Sequence, residues 1–233
     1  MTNQKNLVIT ASIFAMLCMP LLAAGNTAAK PRGVEAQAVE KAADDVEAAK
    51  KTIERLKSRF YIKTDVFTNR TTFKPKPKRG VIGWYKNIIP VIHGDNLFVR
   101  TEIFEEATYP DTITIKIGDK VTTYESIEAK TETQFSNMSY VFLPSGTLYE
   151  TVFAFPDDSL LRYIASNAKE IIQDGISIRF SGKNGRHSDS YIHGKSSRLS
   201  KKLLKDMVEM IIETLELYDA LQIVKRSEQQ EIE

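Results

Sequence analysis

The sequence predicts an α+β fold: a mostly antiparallel β-sheet packed by C-terminal helices, with a long N-terminal helix. Three observations carry that prediction. Residues 34–59 place apolar side chains at helical spacing, residues 60–155 are rich in Val, Ile, Thr, Tyr and Phe cut into short runs by turn residues, and the last third returns to helical spacing around one strand. Strands followed by helices, without regular βαβ alternation, call for antiparallel pairing.

The chain opens on a polar head with one cation, Lys5, followed by an apolar run over residues 7–24 and a small-residue exit at Thr27-Ala28-Ala29. That layout is a secretory signal peptide, expected over residues 1–29. Thr10, Ser12 and Pro20 interrupt the run, whereas a retained span needs about 20 uninterrupted apolar residues. Cys18 follows Leu17 and is itself followed by apolar residues, which is the wrong setting for lipid attachment. It is the only cysteine of the 233 residues, so an exported form without residues 1–29 holds together by core burial and no disulfide.

A helix is expected next, within a segment spanning residues 30–60. Val39, Ala42, Val46, Ala49, Ile53, Leu56 and Phe60 alternate spacings of 3 and 4, the heptad rhythm that draws one apolar stripe along a helix. Glu47–Lys51 and Glu54–Lys57 support it at i,i+4 and i,i+3. Such a stripe serves either as a coiled coil that makes oligomers or as a prop against its own domain. The alanines bury little surface, which favours the prop.

Residues 61–224 are expected to form one α+β domain, with strands at 61–67, 88–93, 97–104, 112–117, 120–125, 127–132, 139–143 and 148–155. Gly94-Asp95-Asn96 and Gly118-Asp119 supply left-handed hairpin turns. Ile113, Ile115 and Ile117 alternate with Thr114 and Lys116, the mark of a strand with one wet face. Asp157-Asp158-Ser159 then caps a helix carrying Leu160, Leu161, Ile164, Ala168, Ile171 and Ile172, which ends at Gly175. A strand at 176–180, a polar loop at 181–198 and a final helix capped by Ser200 complete the domain, and 225–233 read as a charged, frayed tail.

Loss of the leader removes Lys5 and no acid, so the 32 basic residues become 31 against 30 acidic. That balance speaks against nucleic acid as a partner, and any electrostatic partner must meet a local patch. One candidate patch is the polar loop and its margins, where Arg179, Lys183, Arg186, Lys195, Arg198, Lys201 and Lys202 face a single acid, Asp189. Glycines there free backbone amides, and the next helix points its positive end at the same place. The set suits an oxyanion, as on an anionic glycan or another envelope polymer. The string His187-Ser-Asp189-Ser-Tyr-Ile-His193 also offers imidazole, carboxylate and imidazole to a borderline metal. Its spacing is no established signature, and the surrounding cations repel a divalent ion. No catalytic residue is assigned and no cofactor is expected: a nucleophile elbow, a phosphate-cradling glycine motif and a zinc-protease helix are all missing.

The stretch Gly175-Ile-Ser-Ile-Arg-Phe-Ser-Gly182, Asp189, and the run from Leu203 through Leu217-Tyr-Asp-Ala-Leu221 is similar to the ending of many small exported bacterial proteins of unassigned function. The resemblance spans roughly residues 157–221. It implies a bacterial, exported chain with a strand–loop–helix ending, and it brings no catalytic residue. The function expected from the sequence is an exported, periplasmic or secreted, binding or envelope-associated module. Hydrolysis of envelope or host polymers and self-association through residues 34–60 are the alternatives.

Overall fold

The structure, a computed structural model, describes residues 32–76, 88–104, 109–136, 146–193 and 198–230. The fold is α+β, with antiparallel sheets, a long C-terminal helix and an N-terminal helix. Among the described residues no helix is long and apolar enough to cross a membrane. The expected leader at 1–29 and the expected strand at 139–143 lie outside the described residues.

Two sheets share the strands. The first, of six strands, runs in the order β1 (Phe60–Thr64), β2 (Thr71–Pro75), β3 (Ile89–His93), β4 (Asn96–Phe104), β8 (Gly146–Ala154) and β7 (Glu128–Ser136). The second, of four, runs β10 (His187–His193), β9 (Gly175–Gly182), β5 (Pro110–Ile117) and β6 (Lys120–Glu125). Every pairing is antiparallel. The hairpin β5–β6 pairs Thr112 with Glu125 and Ile117 with Lys120, as the alternation predicts. Gly94 and Gly118 turn their hairpins at φ 59° and 56°. A side chain at Gly118 would also meet the Glu170 carboxylate at 2.6 Å.

The main core lies where both sheets meet the C-terminal helices. Ile113, Ile115 and Ile117 of β5 and Ile176, Ile178 and Phe180 of β9 point the same way, because Ile113 pairs with Phe180 and Ile115 with Ile178. Val99 and Phe153 come from the six-stranded sheet, and Leu204, Met207, Val208 and Ile211 from α4 (Arg198–Gln230). Two short helices close this core. The single helix expected over 159–174 is broken into α2 (Ser159–Ser166) and α3 (Ala168–Asp174). The Ser166 hydroxyl and the Asn167 side-chain amide both donate to the Tyr163 carbonyl, at 3.0 and 2.8 Å. Side chains that compete for a backbone acceptor in this way interrupt a helix.

A second core sits under α1 (Arg32–Lys57), where Leu56 and Phe60 pack with Ile92 and Leu217. Arg55 bonds Glu216 at 2.8 Å, and Arg59 pairs with Glu213, so α1 and α4 run antiparallel. Only part of the apolar stripe is covered: Ala49, Leu56 and Phe60 are buried, while Ala42 is exposed.

Five further expectations change. Residues 187–193 are a strand, not a loop, paired with β9 from His187–Ser181 to His193–Gly175. Thr71–Pro75 is a strand that the basic, proline-bearing composition hid, and β1 stops at Thr64 because residues 65–70 form a turn. The final helix starts at Arg198, ahead of the expected cap at Ser200. Its end is helical as far as Gln230 rather than frayed, and Lys225 there pairs with Asp95.

Candidate functional site

The residues singled out in the sequence do not share one loop. Arg179 stands mid-sheet on β9, and its Nε and Nη2 both donate to the Asp189 carboxylate on β10 at 2.7 Å. That pair lies in one exposed row with Thr114 and Thr123, whose hydroxyls are 2.9 Å apart. Asp189 pushes the Arg179 pKa up, and the charge of each satisfies the other. Lys183 and Arg186 sit at the tip of the β9–β10 hairpin, where Gly185 N–H donates to the Gly182 carbonyl. Lys183 Nζ is 3.8 Å from an Asp111 carboxylate oxygen. From that tip β10 runs about 20 Å to its far end, where the chain leaves for α4 and the exposed Lys201 and Lys202. Lys195 and the side chain of Arg198 lie outside the description.

For the metal reading, His187 and Asp189 fall on one face of β10, with Asp189 committed to Arg179. The side chain of His193 is outside the description. Among the described residues no three His, Cys, Asp or Glu side chains come together as a metal would require.

What sequence reading missed is a cleft of about 790 Å³ between the start of β4, the start of β7, the β8–α2 junction and the last third of α4. Leu97, Phe98 and Phe155 supply apolar wall, and Ile127 and Ile223, both exposed, stand at its margins. Asp157 and Asp158 enter from the β8–α2 junction, Arg162 from α2, and Tyr218, Asp219 and Arg226 from α4. The α4 wall is tied to the β3–β4 turn. The Tyr218 hydroxyl and the Gln222 amide both donate to the Asp95 carbonyl at 3.3 Å. Burial, and then the nearby Asp158 and Asp219 carboxylates, push the Tyr218 phenol pKa up.

Arg162 is the knot of the cleft. Its Nη2 lies 2.7 Å from both Asp158 Oδ2 and Asp219 Oδ1, and its Nε donates to Asp158 at 2.9 Å. Two carboxylates on one guanidinium tie α2 to α4 and push the Arg162 pKa up. Asp157 is held below the usual carboxylate range by the Ser159 hydroxyl and amide, the amide donating at 3.0 Å. The cleft thus carries four carboxylates, those of Glu128, Asp157, Asp158 and Asp219, against the guanidinium groups of Arg162 and Arg226.

The Asp157 turn has a pH signature. Its folded pKa lies below the ordinary 3.8, so the stabilisation is present at neutral pH and lost as the pH falls below that value. Asp157→Asn should cost no more than about 1 kcal/mol at pH 7, because solvent screens the exposed carboxylate. In urea melts taken down the acid range, the variant and the wild type should converge below the ordinary aspartate value.

No family model, curated protein or solved structure matches the chain.

Proposed function

We propose that the protein is an exported, envelope-associated binding module that takes an extended, positively charged peptide segment in the cleft beside Arg162. The observation that carries this reading is the composition of the cleft: an apolar wall and margins under an excess of carboxylates. An acid-rich, partly apolar groove attracts a ligand that combines cations with apolar side chains. An anionic polymer would meet net repulsion there. Among the described residues β7 is the end strand of its sheet, and it begins at the cleft, so an extended segment lying there meets a sheet margin of the kind peptides add to.

Binding suits the groups better than hydrolysis does. A two-carboxylate hydrolase needs one carboxyl held protonated by a raised pKa. Here Asp158 and Asp219 both hold Arg162, and Asp157 is lowered by its hydrogen bonds.

The test is fluorescence polarisation with labelled hexapeptides that alternate basic and apolar residues. Glu128 is exposed at the cleft, so Glu128→Lys should leave the fold intact and weaken binding about fivefold, the worth of roughly 1 kcal/mol for one surface charge. Lys120→Glu, on the other sheet, should change nothing. Equal affinity in wild type and Glu128→Lys, or preference for acidic peptides, overturns the reading.

A further inference from the structure

We infer that the β1–β2 hairpin is a membrane-docking spike: the turn over residues 65–70 inserts Val66 and Phe67 into the interface of an anionic phospholipid bilayer while flanking cations engage the headgroups. This stands apart from the cleft and does not depend on it.

Exposure is the first argument. Phe67 is 95% and Val66 86% exposed, and further down the hairpin Tyr61 and Ile62, on the two faces of β1, are 56% and 47% exposed. Scattered single apolar residues on a surface need no explanation. Two side by side at one hairpin tip, both almost fully exposed, form an apolar point with no cover from the described residues.

Construction is the second. The tip is a tight turn and not a loose loop. Asp65 Oδ1 accepts from the amides of Phe67 and Thr68 at 2.8 and 3.2 Å. The Asp65 amide donates to the Arg70 carbonyl at 2.9 Å, and the Asn69 amide to the Asp65 carbonyl at 2.8 Å. Asn69 takes the left-handed conformation at φ 54°, which asparagine tolerates better than most residues. Backbone groups that enter an apolar phase unpaired are costly, and these four amides carry their partners with them.

Charge decides the occupant. Residues 60–76 hold Lys63, Arg70, Lys74 and Lys76 against Asp65 alone, in a chain that is otherwise nearly neutral. Asp65 is turned to its own amides, which hold its carboxyl below the usual range. Lys63 and Arg70 sit on either side of the turn, where long side chains reach headgroups while the apolar tip goes deeper. Lys76 Nζ lies 5.6 Å from the centre of the Tyr61 ring and donates to the Ser58 carbonyl at 2.9 Å, which braces the base of the hairpin. An apolar tip in a basic collar matches an anionic lipid surface.

The test places an environment-sensitive fluorophore at the tip through Thr68→Cys, in a chain with Cys18→Ser, recovered from an expressing bacterium with its native processing. A site-specific probe reports the tip alone, whatever residues 1–29 do. Vesicles of phosphatidylglycerol and phosphatidylcholine should shift its emission to the blue, and the same probe placed through Asp119→Cys on the other sheet should not respond. Phe67→Ser should weaken partitioning about tenfold or more, and Lys63→Gln or Arg70→Gln about fivefold each. No shift at position 68, an equal shift at position 119, an unchanged response in Phe67→Ser, or equal binding to pure phosphatidylcholine overturns the inference. A concentration-dependent dimer without vesicles, dissolved by Phe67→Ser, also overturns it and gives the tip to a second copy of the chain.

Discussion

Replacing Phe153 with alanine is expected to cost about 3–5 kcal/mol, the largest loss of any single truncation in the main core. Phe153 is fully buried on β8, with its ring centroid 5.9 Å from Phe155 and 6.5 Å from Phe180. Phe180 belongs to β9, so this one side chain joins the six-stranded sheet to the four-stranded one. Its removal leaves a void at the seam, which neither sheet fills by moving alone because each is held by its own ladder. At about 2–4 °C per kcal/mol for a domain of this size, the melting temperature should fall by roughly 10 °C. Phe180→Ala should be similarly severe, and the double variant should fall short of the sum by about 0.5–1.5 kcal/mol, the coupling expected of stacked rings. Strict additivity in denaturant melts would mean that the two rings do not share a core.

The seam itself was hidden from the sequence, although the strands on either side were not. Ile113, Ile115 and Ile117 announce a one-faced strand by alternation alone, and Gly118 announces the turn that follows. β10 has no such alternation: Ser188, buried at 5% exposure, is as polar as the exposed Asp189 beside it, and the strand exists because β9 offers it a ladder. The dipeptide Asn184-Gly185 was the available signal, since it is a strong mark of a tight hairpin. Without that turn the segment 187–193 reads as part of a loop, whereas the ladder with β9 commits Arg179 to Asp189 and leaves Lys183 and Arg186 at the hairpin tip.

The cleft was less legible still. Arg162 and Asp219 are 57 residues apart, and Tyr218 and Asp95 are 123 apart, so no spacing links them before the chain folds. Asp157-Asp158 did stand out as a helix start. Only Asp157 serves the Ser159 amide, while the Asp158 carboxylate turns to Arg162. The hairpin tip shows the opposite failure. Val66 and Phe67 look like the end of a strand because they are apolar, and Asp65, which starts the turn, is what moves them to the outside.

The second large effect concerns α1. Leu56→Asp should detach this helix while leaving the main core standing. Leu56 has no exposure and packs with Phe60, Ile92 and Leu217, separately from the isoleucine-rich core of β5 and β9. A carboxylate there has no partner, so undocking is cheaper than burial, and the loss is capped at the docking energy, about 2–5 kcal/mol for one deleted leucine contact set. The surface pairs Arg55–Glu216 and Arg59–Glu213 cannot hold the helix by themselves, since exposed ion pairs contribute at most about 1 kcal/mol each. Hydrogen exchange should therefore speed up along α1 and at the exposed end of α4, with the amides of β5 and β9 still protected. Ala42→Asp, at an exposed position of the same stripe, should do nothing. Light scattering separates this reading from self-association. A prop leaves the mass unchanged in Leu56→Asp, whereas a stripe that joined two chains would lose half the mass, and Ile53→Asp, half-buried on the same face, would have to do the same.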